Sequence, residues 1–142
     1  MDYAILRTSK LKTMGNIGGS LAHNYRLRNT PNADPLRLKN NEHDLKTAVQ
    51  VRTAIEQRLP EKTRKNAVLA VEYLMTASPD WDGWKNKEKE KEFFQRAREW
   101  LIEKHGAENV ISTSIHRDET TPHLVAYVVP IDSKGNLNCR EF

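Results

Sequence analysis

The sequence is poor in several features that would narrow its class. It has one cysteine, Cys139, in 142 residues, so no internal disulfide can form and a disulfide-stapled secreted scaffold is excluded. No apolar run approaches the roughly 20 residues that span a bilayer. The opening Met1-Asp2-Tyr3-Ala4-Ile5-Leu6-Arg7 lacks the basic-then-apolar layout of a secretory signal. Internal repeats and low-complexity segments are also missing, and a reducing, cytoplasmic setting is expected. The charge excess is small. Lys and Arg number 23 against 19 Asp and Glu, a net +4, which permits a polyanionic partner without requiring one. With 37% hydrophobic and 30% charged residues, the chain is polar but not of disordered composition. Its length suits one domain with a real core, not two catalytic domains.

Residues 3–7 are apolar and β-favouring and predict a first strand. A basic stretch with Gly15, Gly18 and Gly19 follows, and Ser20 is placed to cap a helix over 21–27. Residues 29–35 predict a loop. Leu45, Ala48, Val49, Ile55 and Leu59 recur at helical spacing ahead of Pro60, predicting a helix over 44–59. Residues 67–76 are almost continuously apolar, as in a strand buried on both faces. The longest predicted helix is 86–105, with Phe93, Phe94, Ala97, Trp100 and Leu101 as its apolar stripe and Gly106 to end it. Two strands, 110–115 and 123–129, form a final hairpin; 132–135 is a turn, and 137–142 begins another element. This order implies an α+β fold, with an antiparallel sheet of four to five strands flanked by helices. Four strands with the helices on one face is the simplest version. The chain is expected to be one domain over 1–142, the N-terminal part of a longer protein.

Three windows carry chemistry. In Ile115-His116-Arg117-Asp118-Glu119-Thr120-Thr121-Pro122-His123, two imidazoles terminate neighbouring strands around a link with two carboxylates. In a hairpin His116 and His123 can converge on one ion, although the same composition suits solvated surface groups. In His23-Asn24-Tyr25-Arg26, positions 23 and 26 share a face if the segment is helical. An imidazole beside a guanidinium suits a nucleophile next to a phosphate clamp, and also an ordinary half-exposed helix. Tyr25 then points away from His23. Glu72, inside the apolar strand, needs a partner; it either orients an imidazole or sits at a sheet border.

Together these windows resemble plasmid mobilization relaxases of the Pre/Mob (MobV) type, within the His-hydrophobe-His (HUH) endonucleases. The first motif spans Arg7-Thr8-Ser9-Lys10 through Gly15-Asn16-Ile17-Gly18-Gly19 to His23-Asn24-Tyr25-Arg26. The second lies in residues 66–79 around Glu72-Tyr73-Leu74-Met75-Thr76, and the third is His116 to His123. The resemblance implies a domain that nicks one DNA strand at an origin of transfer and stays attached to the 5′ phosphate, using Mn²⁺ or Mg²⁺. It makes His23 the nucleophile, with Tyr25 the alternative, Glu119 the carboxylate that activates it and Arg26 a phosphate contact. It makes His116 and His123 metal ligands, with Asp118 a possible third, and Glu72 an orienting residue of the second motif. Arg7, Lys10, Lys12, Asn16, Arg26 and Arg28 become DNA contacts. Implied partners are single-stranded or hairpin DNA at an origin of transfer, relaxosome accessory proteins, and a second copy joined through a further C-terminal region. The family motif continues Pro-His-hydrophobe-His, and Val125 stands where its last histidine is expected. Valine cannot bind a metal, so impaired nicking is one expectation, and a non-catalytic module that binds an origin hairpin through a degraded metal site is the alternative.

Overall fold

The computed structural model describes residues 3–28 and 30–142; Asn29, first residue of the expected loop, and Met1-Asp2 lie outside them. Five antiparallel strands, β1 (Ala4–Leu11), β2 (Glu42–His43), β3 (Ala70–Ala77), β4 (Val110–His116) and β5 (His123–Val128), form one sheet in the order β1-β3-β5-β4-β2. Three α-helices cover it: α1 (Met14–Asn24), α2 (Ala48–Arg58) and α3 (Lys87–His105). The helices do not gather on one face as the simplest arrangement supposed. Ile17 and Leu21 of α1 and Val51 and Ile55 of α2 pack with Val125, Tyr127 and Val129 on one face. Phe94, Ala97 and Leu101 of α3 pack with Val71, Tyr73, Leu124, Ala126 and Val128 on the other. The strict alternation of β5 between the two clusters follows from the two-residue period of a strand. No helix of the described residues is long and apolar enough to cross a membrane.

Local sequence explains most boundaries. α1 begins seven residues before the expected start, because Thr13 caps it by accepting a hydrogen bond from the Asn16 N–H at 2.9 Å. Three glycines weaken such a helix by roughly 1 kcal/mol each, and tertiary burial of Ile17 and Leu21, 0% and 2% exposed, compensates. Ser20 therefore lies inside the helix and caps nothing. The helix stops at Asn24, so His23 and Arg26 do not share a helical face. α2 is shorter than expected: Thr47 and Gln50 form a capping box, while Asp44 accepts from the Thr113 N–H and hydroxyl instead of joining the helix. Val49, expected in the core, is exposed. α3 matches its expected span, with Asn86 capping two N–H groups and Gly106 ending it at φ 91°. Trp100, at 40% exposure, leaves its buried stripe. The last expected element is only a short 3-10 turn, Cys139–Glu141.

β1 is longer than the apolar run 3–7, because eight backbone pairs to β3 carry it through the polar residues to Leu11. It forms one border of the sheet, and most of its residues are exposed.

Candidate active site

Antiparallel pairing of β4 and β5 sets His116 opposite His123. Their rings stack with centroids 5.0 Å apart and planes within 9°. The link between the strands is pinned on several sides. Arg117 donates to Glu90 of α3 at 2.6 Å and to Glu42 of β2 at 2.5 Å, and the Thr76 hydroxyl donates to the Pro122 carbonyl at 2.6 Å. The fixed link brings Glu119 back over the strand ends, with its Oε2 at 3.3 Å from His123 Nε2. One donor atom from each of His116, Glu119 and His123 lies within 4.8 Å of the others. Two ligands about 2.1–2.2 Å from one ion and at right angles to it are roughly 3 Å apart, so the set fits a divalent ion once His116 Nδ1 is released from Arg26 Nη2, which lies 2.8 Å from it. Two imidazoles and a carboxylate suit Mn²⁺ better than a tight thiolate-type zinc site. His116 is buried, whereas Glu119 and His123 are half-buried, so the cluster opens outward on one side.

The end of α1 closes the inner side. Asn24, 3% exposed, accepts a short hydrogen bond on Oδ1 from His116 Nε2. Arg26 then turns back with φ 56°, the one non-glycine residue with positive φ among those described. That conformation costs of order 1–2 kcal/mol and is offset by a dense set of contacts. Its Nε and Nη2 donate to the two oxygens of Asp118 at 2.7 and 2.8 Å. Nη2 also reaches Glu119 at 3.1 Å and His116 Nδ1 at 2.8 Å. The tautomer that satisfies both of its partners carries the His116 proton on Nε2 and leaves the Nδ1 lone pair on the Arg26 side. Burial, and then the Arg26 charge, push the His116 pKa down to about 3, keeping the ring neutral. Burial alone would raise the Asp118 carboxyl, but the Arg26 hydrogen bonds and charge outweigh it and bring it to about 2.

The expected site residues divide accordingly. His116, His123 and Glu119 come together, with Glu119 inside the donor cluster as well as near the α1 end. Asp118, expected as a further ligand, is not among those donors; both its oxygens are taken by Arg26. Arg26, expected on phosphate, is 7% exposed and held by protein carboxylates. His23 is exposed in the last turn of α1, one residue before Asn24, which touches His116, and its carbonyl accepts from Arg26 Nη1 at 3.1 Å. Tyr25 turns elsewhere: its hydroxyl donates to the Leu45 carbonyl at 2.5 Å, and burial pushes its pKa up to about 12. Glu72 orients no imidazole; it accepts from the Ser20 hydroxyl, which in turn accepts from Tyr127 at 2.7 Å, a polar chain under α1. Arg7 is exposed and shares a row with Leu74, Val125 and Ser114. Lys10 and Lys12 lie towards the far end of β1, Asn16 accepts from the Lys12 N–H at 3.3 Å, and Arg28 lines a small cleft beside Asp118.

Val125 faces the histidine side of the sheet but is 5% exposed in the core under α1 and α2. Two contributors escape sequence reading. Asn24 carries no signal beyond its place next to His23. His43 sits in a two-residue strand too short to show periodicity, yet its ring stacks on Tyr25 at 4.2 Å and meets His116 edge-on at 5.8 Å.

Comparison with known proteins gives a consistent result. The family model described as plasmid recombination enzyme (Mob_Pre) matches residues 1–142. A 65 kDa protein of Zymomonas mobilis is 35% identical over 96% of this chain and 25% of its own length. A plasmid recombination enzyme of Streptococcus agalactiae is 30% identical over 99% of this chain and 30% of its own. The chain thus spans about a quarter to a third of these curated relatives. Among solved structures, the Mn-bound MobM relaxase domain in complex with plasmid pMV158 oriT DNA is similar at a TM-score of 0.82 and 28% identity, covering 98% of this chain and 76% of that one.

Proposed function

The chain belongs to the plasmid recombination enzyme (Mob/Pre) family, and from that premise we propose that it is a relaxase domain that nicks one DNA strand at an origin of transfer in the cytoplasm. The observation that carries this reading is the His116, Glu119 and His123 donor cluster, set against the α1 end that bears His23. Those three residues would hold a divalent ion, which when bound polarises the scissile phosphate and offsets charge on its oxygens. His23 attacks phosphorus through an imidazole nitrogen. A nitrogen–phosphorus bond forms, the bond to the 3′ oxygen breaks, and the DNA 5′ end is left as a phosphoramidate on His23. Glu119 Oε2 faces His123 and Arg26; its second oxygen takes the proton that His23 releases and hands it to the departing 3′ oxygen, so Glu119 ends the step ionised and the 3′ end leaves as a hydroxyl. The covalent bond keeps the phosphodiester energy, so the reverse step rejoins the strand.

Arg26 acts as a positioning residue that holds Asp118, Glu119 and His116, and Asp118 holds Arg26. The engaged, high-pKa hydroxyl of Tyr25 favours His23 as nucleophile. We read Val125 as a core residue, since Glu119 supplies a third donor. Arg7 and Arg28 flank the cluster as phosphate contacts. Incubation with a labelled origin oligonucleotide and Mn²⁺ is expected to give an SDS-resistant adduct that His23→Ala abolishes and Tyr25→Phe retains; the opposite pattern would sink the assignment. Val125→His is expected to lower stability and leave nicking no faster. Gain of nicking there would return the binding-only module as the better reading.

A further inference from the structure

A buried polar seam runs from the donor cluster down under α1. Asn24 meets His116 at the cluster side. Ser20, four residues earlier and on the same helix face, hydrogen-bonds both Glu72 and Tyr127. Glu72 of β3 and Tyr127 of β5 are paired across the sheet, and alternation puts Tyr127 on the face that carries His123. Tyr127 and Asn24 are both buried, in a neighbourhood that includes Ile17, Leu21 and Val125. Polar groups in such a place are costly unless each finds a partner.

The hydrogen-bond directions along the seam are forced one after another. Arg26 only donates, so the His116 Nδ1 that it meets is an acceptor, and the single proton of the neutral ring sits on Nε2. The Asn24 atom facing that N–H is therefore Oδ1, which leaves the amide nitrogen for another partner. That Nδ2 is buried and has no hydrogen-bond partner among the described residues. The group it acts on is the Tyr127 hydroxyl, whose pKa burial raises and the Ser20 and Asn24 side chains pull back. At the far end the Glu72 carboxylate has no proton to give. Ser20 therefore donates to Glu72 and accepts from Tyr127 at 2.7 Å, which keeps a lone pair of Tyr127 for Asn24. Each N–H and O–H then points the same way, from His116 through Asn24, Tyr127 and Ser20 to Glu72.

We propose that Asn24 is a positioning residue for His116, held in that role by the chain through Tyr127 and Ser20 to Glu72, an inference that rests on the donor-cluster reading. With Nε2–H fixed on Asn24, the Nδ1 lone pair stays on the side of Arg26 and Glu119. A half-turn of the ring about Cβ–Cγ would put carbon atoms in both places and break the Asn24 bond. Arg26 has to leave Nδ1 before an ion can reach it, and the Asn24 bond keeps the ring in place when it does. Aligned hydrogen bonds polarise one another, so a chain ending on a carboxylate makes Nδ1 a stronger ligand, as an outer partner does for a metal-binding imidazole. Glu72 meets no imidazole itself, but its place in an apolar strand is explained as the acceptor that closes this chain.

The test begins without metal. In EDTA at about pH 8, above the ordinary histidine range, NMR of protein with ¹⁵N-labelled histidine is expected to show a downfield His116 ring proton on Nε2 that exchanges slowly with water. A proton on Nδ1, or no protected ring proton, would overturn the assignment. Asn24→Leu is expected to lose that protection and to bind Mn²⁺ about 10–100-fold more weakly in calorimetric titration. Asn24→Asp, which restores an acceptor, is expected to recover most of both. Ser20→Ala keeps Asn24 and breaks the chain further on; it should move the ring proton upfield and weaken Mn²⁺ binding about 5-fold, the equivalent of one net hydrogen bond. Full Mn²⁺ affinity in Asn24→Leu, or Asn24→Asp as weak as Asn24→Leu, would reduce Asn24 to packing. An unmoved proton and affinity in Ser20→Ala would overturn the chain. If Asn24→Leu does not fold, the wild-type spectrum and Ser20→Ala still decide the matter. A wild-type protein that binds no Mn²⁺ would remove the donor-cluster reading instead, while the metal-free spectra would still show whether Asn24 holds the ring.

Discussion

The two ends of the sheet use charge in opposite ways. At the histidine end two arginines are fastened: Arg26 to Asp118, Glu119 and His116, Arg117 to Glu90 and Glu42. At the other end Lys10, Lys12, Arg64, Lys65 and Arg140 have no carboxylate partner among the described residues. Fastened charge fixes atoms to tenths of an ångström and is paid for in desolvation. Free charge attracts at range, is screened by salt and fixes little. The phosphodiester step proposed for the histidine end would need the first.

The largest effect that would break this contrast is at the donor cluster. His123→Ala is expected to cost more than about 100-fold in Mn²⁺ affinity, since even the outer partners of a ligand are worth about 10–100-fold; calorimetric titration of Mn²⁺ reads it directly, and near-normal affinity would deny His123 a ligand role. Next comes Arg26→Ala, which leaves the buried Asp118 carboxylate unpaired. A loss of about 3–5 kcal/mol in urea unfolding is expected, whereas a loss under 1 kcal/mol would mean that the fastening is cosmetic.

Acid should expose the same asymmetry. His116 is neutral when folded, with its pKa lowered to about 3, so the unfolded chain binds its proton first as pH drops. Stability is therefore lost between about pH 6.5 and 3. Buried His105, lowered to about 4 by burial and then by Lys104, adds a loss between about pH 6.5 and 4. Asp118, held at about 2, contributes stability above its unfolded value that disappears only as pH falls from about 4 through 2. Urea midpoints in EDTA across this range should slope downward, and His116→Asn should flatten the slope by about one proton; an unchanged slope would mean that the ring is not buried neutral. The smallest effect sharpens the contrast from the other side: Lys65→Ala should shift stability by no more than about 0.5 kcal/mol in the same assay.

Long periodic elements are legible in the amino-acid sequence alone. α3 and the β4–β5 hairpin follow from apolar periodicity and the residues that stop it, and pairing of the hairpin alone brings His116 to His123. The start of α1 is not legible in this way, because Thr13 is an ordinary cap while three glycines argue against a helix, and only burial of Ile17 and Leu21 decides the matter. Val125 illustrates a different gap. Its side of the sheet follows from alternation, but its core contact under α1 and α2 does not.

The sequence by itself determined the antiparallel α+β class, the two histidines at one hairpin end, and the family to which the motifs belong, because each is written in local spacing and residue type. Only the tertiary structure decided who partners whom. Asp118 turned to Arg26 and Glu119 to His123, Glu72 went to Ser20, Tyr25 to a carbonyl, and the cations of β1, the segment before β3 and the last turn converged in one groove. Those outcomes depend on segments up to 130 residues apart, as for Lys10 and Arg140, and a local pattern does not encode the distance at which side chains from separate segments meet.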